Sequence, residues 1–258
     1  YLPDYLEHTK ENNQQLQSEM ERLSHSFLLP EPEINHIKDL KSELSAQEAV
    51  VHSSLEDTAE MKKPFSLVRE ELEAIQDRLK EIEDEQIELG EQLEKIEKDD
   101  VNARQKVTIY ANKLHTIKRF MEKRNLPGIP ESFLTIFFGA SDYIEELARE
   151  LEATRVNIES VNRWLEILAN TMNELEEETY RIVRNSTLTE QLLQYSNRYR
   201  SFDDNVQAAF NESLHAFEVE FDYAKSLEII SKALDVVEPG VSARFINSYE
   251  KTRENIRF

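Results

Sequence analysis

Apolar positions recur along this chain at alternating steps of three and four residues, the spacing that puts them on one stripe of an α-helix. The longest stripe runs through Phe65, Val68, Leu72, Ile75, Leu79, Ile82, Gln86, Leu89, Leu93, Ile96, Asp100, Ala103, Val107, Tyr110, Leu114, Ile117 and Met121. Only Gln86 and Asp100 are polar, so the register persists for about eight heptads. It predicts one unbroken helix over Phe65–Arg124, about 90 Å long at 1.5 Å per residue. A helix of that length cannot belong to one three-helix bundle. It must leave one bundle and enter the next. Gln86 and Asp100 either fix the register or mark where the partner helices change.

Shorter stripes flank it. Leu16, Met20, Leu23 and Phe27 predict a first helix over Asp4–Leu29, stopped by Pro30-Glu31-Pro32. Ile34, Ile37, Leu40, Leu44, Val51 and Leu55 predict a second, from Glu33 to just before Lys63-Pro64. The loop Asn125-Leu126-Pro127-Gly128-Ile129-Pro130 separates the long helix from a fourth over Glu131–Ala153. There Phe133, Ile136, Phe137, Ile144 and Leu147 face inward, and the Phe137-Phe138 pair reads as core. Asn157 caps a fifth helix whose stripe is Val161, Leu165, Leu168, Met172, Leu175 and Ile182, with Trp164 at its edge. The phase changes at Arg184-Asn185-Ser186, and Thr187-Leu188-Thr189-Glu190 has the form of a capping box. We expect the helix to continue through this point rather than break. Beyond it, Asp203-Asp204 caps a short helix through Phe217. Glu220 to Ala224 turns into another that ends at Val237, and Glu238-Pro239-Gly240 leads to a last helix near Val241–Ile256. Ala209, Phe210, Ala216, Phe217, Tyr223, Ala224, Leu227, Ala233 and Leu234 resemble one tetratricopeptide hairpin, too little to form a groove by stacking and read here as a closing cap.

The fold class that follows is all-α: elongated tandem spectrin-like repeats, antiparallel helical bundles sharing long helices, with no β-sheet. Residues 1–124 form one repeat region, 125–202 the next, and 203–258 a cap of short helices. Composition agrees, with 32% charged residues and only four glycines. The formal net charge of −21 argues against general binding to nucleic acid or to anionic lipid. Without cysteine there are no disulfides or thiolate metal sites. No apolar run approaches the length that spans a bilayer. The chain opens Tyr1-Leu2-Pro3 rather than at a methionine, and we read it as a fragment of something longer.

Against this acidic background one stretch reverses sign. From Arg181 to Arg200 there are four arginines (Arg181, Arg184, Arg198, Arg200) and one carboxylate. Leu188, Leu192, Tyr195, Tyr199 and Phe202 keep the apolar spacing. Thr187, Gln191, Gln194, Arg198 and Ser201 form a polar stripe on the other side, flanked by Glu190 and Asn197. One reading is an ordinary helix with arginines chosen for propensity. The other is a recognition patch, amides and guanidinium forks presented to a partner's backbone or carboxylates.

The wording of that stretch, Gln194-Tyr195-Ser196-Asn197-Arg198-Tyr199-Arg200, resembles the Gln-Asn-Arg signature near the C-terminus of the EzrA family, septation ring formation regulators of Gram-positive bacteria. Ser196 stands where that family has a small residue, often Gly or Ala. The resemblance extends to the Asn125–Pro130 loop, to Phe137-Phe138 with Ser141, and to Val237-Glu238-Pro239-Gly240. It implies the cytoplasmic part of a single-pass membrane protein whose anchor lies N-terminal, outside this chain. It implies contact with the tubulin-like division protein FtsZ, restraint of Z-ring assembly, and a link to septal cell-wall synthesis at midcell. It also implies that the patch, Gln194 to Arg200, binds a protein partner. A spectrin-like spacer with no division role and a membrane-sculpting helical dimer are the competing classes. The six histidines, His8, His25, His36, His52, His115 and His215, form no metalloprotease pattern, and no phosphate loop or nucleophile elbow is present. We therefore expect no enzyme, catalytic residue, metal site or cofactor. The basic cluster Lys113, His115, Lys118, Arg119, Lys123 and Arg124 complements the dipole at the C-terminal end of the long helix.

Overall fold

The computed structural model describes residues 2–59 and 64–252. The expected end of the second helix just before Lys63-Pro64 and the tail of the last one to Ile256 lie outside the described residues. Eight helices are present among these residues: α1 Leu2–Ser24, α2 Glu31–Ala59, α3 Phe65–Glu122, α4 Glu131–Leu151, α5 Ile158–Ser196, α6 Asp204–Glu218, α7 Tyr223–Val237 and α8 Val241–Thr252. The β-type pairing recorded among them is an isolated parallel bridge, Phe27 to Val156. The protein is all-α, of the helical-repeat kind its periodicity predicts.

Helix α3 is unbroken, passing through Gln86, Gly90 and Asp100. Gln86 is 4% exposed and donates to the Thr9 carbonyl of α1 at 3.0 Å, so it ties the register of two helices. Asp100 accepts from Arg104 at 2.9 Å, and Arg104 reaches on to the Leu151 carbonyl at 2.7 Å. The helix is shared by two compact units, one made of Tyr1–Gln105 with Ala148–Arg163, the other of Lys106–Leu147 with Trp164–Phe258.

In the first unit the stripes of α1, α2 and α3 meet. Leu23, Ile37, Leu40, Leu44, Leu79 and Ile82 are fully buried, each contributing about 1.5–3 kcal/mol. Around this core Arg78 donates twice to Glu43, at 2.6 and 2.8 Å. Four expectations are corrected here. Helix α1 stops at Ser24, not Leu29, and α2 starts at Glu31. What ends α1 is pairing with the α4–α5 connection: Leu28 donates to the Val156 carbonyl and Val156 to that of Ser26, both at 2.9 Å. Leu55 is 49% exposed, because Ser54 takes the inward place and donates to Glu71 at 3.1 Å. Phe65, the first residue of α3, is also exposed.

The second unit buries Ile117, Leu147, Leu168, Met172, Leu175 and Leu188. Ser132 of α4 donates to Glu178 of α5 at 2.9 Å, and Trp164 packs against Tyr143 at 5.6 Å. Phe138 is exposed, contrary to the core reading of the phenylalanine pair. Phe133, Ala140 and Leu147 hold the inward positions of α4, and Phe138 lies about 100° round from Phe137. Helix α5 continues through Arg184-Asn185-Ser186 as expected. The hydroxyls of Ser186 and Thr187 bond back to the Val183 carbonyl, so Thr187 does not act as a cap. Asn157 and Asp203 do cap α5 and α6. Helices α6 and α7 form the expected hairpin, zipped by the buried hydroxyls of Ser213 and Ser226 at 2.9 Å. Its turn holds Phe221 at φ 56°, with the ring over Gly128 in the α3–α4 loop, where an added Cβ would meet it at 2.5 Å. Beside it the Tyr223 hydroxyl donates to the Gly128 carbonyl at 2.7 Å, clasping that loop.

Candidate recognition surface

The stretch singled out in the sequence is where α5 ends. Leu188, Leu192 and Leu193 bury against Val206, Leu227, Ile230, Leu234 and Val241, a core drawn from α5 to α8. Helical geometry ceases at Ser196, and the chain winds on through turns: Tyr199 donates to the Ser196 carbonyl at 2.9 Å and Asp203 to that of Tyr199 at 3.0 Å. Phe202 is therefore not on the seam. It is 73% exposed, because the helix that would have turned it inward has already ended.

Tyr195 and Tyr199 are half-buried against the core, as the spacing predicts. Both hydroxyls donate to one oxygen of Glu238, at 2.6 and 2.7 Å, and the other oxygen is paired with Arg244. The Tyr195 bond, then that of Tyr199, hold the Glu238 carboxyl down at about 2, Arg244 adding to the effect. In return, the bond to Glu238 pushes the Tyr199 hydroxyl up to about 12. Phe245 closes on Tyr195 edge-on at 5.3 Å. Ser196 has no exposed surface and donates to the Leu193 carbonyl at 2.7 Å, so this position admits only a small side chain.

The polar residues face the other way. Gln191, Gln194, Asn197 and Arg198 are exposed. Arg198 lies 4.5 Å above the Tyr195 ring, and Arg200 lies 4.2 Å above that of Phe210. Arg200 also donates to the Asn197 side-chain oxygen at 3.1 Å. A cation–π contact positions each guanidinium over a ring and leaves N–H donors free for a partner. Among the described residues neither guanidinium has a carboxylate partner. The seven motif residues thus divide by role. Tyr195, Ser196 and Tyr199 anchor, while Gln194, Asn197, Arg198 and Arg200 present amide and guanidinium donors.

Sequence reasoning missed Glu238. It belongs to a stretch that carries the family resemblance, but nothing in its spacing ties it to tyrosines about forty residues earlier. The stacking partners Phe210 and Phe245 were equally hidden. Among the described residues no group of three or more His, Cys, Asp or Glu could hold a metal ion, and no helix is long and apolar enough to cross a membrane.

Fold and surface together define a class: an all-α helical-repeat protein whose distinctive chemistry is an exposed donor patch braced by aromatic rings. Comparison with known proteins shows the family. It belongs to the EzrA family, described as septation ring formation regulators, whose family model matches residues 1–249. It is 76% identical to the septation ring formation regulator of Streptococcus sanguinis, 66% to that of Streptococcus gordonii and 56% to that of Streptococcus pneumoniae, in each case over 257 residues and the whole of this chain. The chain spans 45% of the length of each of these relatives. No solved structure is a significant match. Each of these relatives is named as a regulator of septation ring formation.

Proposed function

We propose that this chain is a scaffold region of a regulator that modulates FtsZ ring assembly and links the ring to septal cell-wall synthesis. It acts at the cytoplasmic face of the plasma membrane at midcell, anchored by a transmembrane helix outside this chain. Residues 1–124 and 125–202 serve as successive spectrin-like repeat regions sharing the long helix, and 203–258 as the cap. The protein-binding surface is Gln194 to Arg200, with FtsZ or another divisome or wall-synthesis protein as its partner. One observation carries the assignment of that surface: two guanidinium groups lie stacked on aromatic rings beside exposed amides, in a chain otherwise dominated by carboxylates. A helix face that served only as spacer would have no use for donors held in fixed orientation.

The test changes Gln194, Asn197 and Arg198 together to alanine. All three are exposed, so folding should shift by no more than about 1 kcal/mol, chiefly the loss of an exposed cation–π contact. Septal recruitment of the full-length protein should fall sharply. Thermal melts paired with localisation decide it. Unchanged recruitment supports the plain spacer, and a collapse in melting temperature makes the motif structural glue.

A further inference from the structure

A second reversal of sign lies at the end of α3. Lys113 to Arg124 carries five lysines and arginines against the single carboxylate Glu122, in a chain of net charge −21. The helix dipole accounts for cations at this end. It does not account for the apolar surface beside them. A cavity of about 400 Å³ opens there between the end of α3, the α3–α4 loop and the start of α4. Its apolar wall is Phe133, Leu134, Phe137 and Phe138. Phe133 is buried and stacks on Phe137 at 5.9 Å, and Phe137 meets Phe138 edge-on at 5.8 Å. The row thus climbs from the core into solvent, where Phe138 is 58% and Leu134 37% exposed. The charged residues lining the cavity are Lys118, Glu122 and Arg124, and Arg124 is held 4.7 Å above the Phe120 ring. Neither Lys118 nor Arg124 is paired with a carboxylate among the described residues. The loop that closes the end is clasped by Tyr223 and Phe221, so the wall is formed in advance of any ligand.

We propose that this groove docks an acidic, apolar-anchored peptide segment of a partner protein. One or two large aliphatic or aromatic side chains enter against the phenylalanine row while flanking carboxylates pair with Lys118 and Arg124. Charge complementarity selects this occupant. An anionic bilayer offers similar chemistry but would face the acidic remainder of the surface, which repels it. The groove shares no residue with the Gln194–Arg200 surface, and the inference stands whether or not that surface binds.

Random peptides displayed on phage, selected against the whole chain, test it. Wild type should enrich peptides with Asp or Glu beside one or two large apolar residues. A synthetic copy of an enriched peptide should lose about tenfold or more in affinity against L134S/F138S and against K118E/R124E. Its binding to wild type should weaken as salt rises. The substituted apolar residues are exposed, so melting temperatures should stay near wild type. F138S alone serves if the double variant unfolds. Equal enrichment on wild type and groove variants, or enrichment of basic peptides, overturns the proposal. So does co-sedimentation with phosphatidylglycerol vesicles that F138S abolishes, which would make the groove a membrane surface. Concentration-dependent dimerisation abolished by F138S would overturn it too, making the groove a contact between copies of the chain.

Discussion

Glu238 shows how one side chain can hold a surface in shape without belonging to it. It accepts from both motif tyrosines, and its carboxyl is held near 2, below its ordinary value. A carboxyl whose folded pKa is depressed stabilises the fold above its unfolded pKa, and that contribution is lost as pH falls through the folded one. Wild type should therefore exceed Glu238→Gln in stability near neutral pH, and the gap should close between about pH 4.5 and about pH 2. Urea midpoints of both proteins across that range measure it. A gap that does not change with pH would mean the tyrosine bonds do not depend on the charge. Ser196 is the neighbouring case. Ser196→Ala should cost no more than about 1 kcal/mol, since only one hydrogen bond is lost. Ser196→Leu should cost about 1–3 kcal/mol by overpacking a site with no free surface. The small residue that the family resemblance places here is thus explained by burial rather than by contact with a partner.

Among the elements, α3 carries the most information. Its stripe never loses phase, and the helix follows it from Phe65 to Glu122. Gly90 sits in its interior, and an added Cβ there would find Leu16 at 3.7 Å, an ordinary contact. Gly90→Ala should therefore stabilise the protein by about 0.5–1 kcal/mol through helix propensity alone, read as a higher denaturant midpoint. A lower midpoint would mean that α1 packs closer than the structure has it. Helix α1 teaches the opposite lesson. Its apolar spacing continues to Phe27, yet the helix stops at Ser24 because backbone groups at 26 and 28 find partners near Val156. That competitor is some 130 residues away and leaves no mark on the local pattern.

At the scale of the molecule the dominant fact is charge. At −21 the folded chain repels itself, and concentrating carboxylates on helix faces costs more at low ionic strength than at high. Its melting temperature should rise as salt increases from about 10 mM to about 150 mM, although individual ion pairs such as Arg78 with Glu43 weaken over that range. Calorimetry at several salt concentrations checks the sign. A fall would show that the networks around Arg78 outweigh the net repulsion. The two positive regions, at the ends of α3 and α5, stand out for the same reason, since against a field of this sign they are where an acidic partner meets least resistance.

The all-α class, the long helix, the loop at Asn125–Pro130 and the exposed side of the Gln194–Arg200 motif were legible in the sequence. Each depends on periodicity or on the local preferences of proline and glycine, and these act within a few turns of chain. The exposure of Leu55, Phe138 and Phe202, the early end of α1, and the Glu238 and Arg198 contacts were not. The early end of α1, the exposure of Leu55 and the Glu238 contacts are settled by which distant segment reaches a backbone group or side chain first, a competition between alternatives of similar local energy, whereas Phe138, Phe202 and Arg198 are placed by helical phase and by the residue at which α5 stops. Ser54 displaces Leu55 because Glu71 lies opposite it. Tyr195 and Tyr199 stay at the edge of the core because Glu238 is there to accept hydrogen bonds from their hydroxyls. A one-dimensional pattern marks which face of a helix is apolar, but the partner that covers that face, and the residue at which cover runs out, exist only once the chain has folded back on itself.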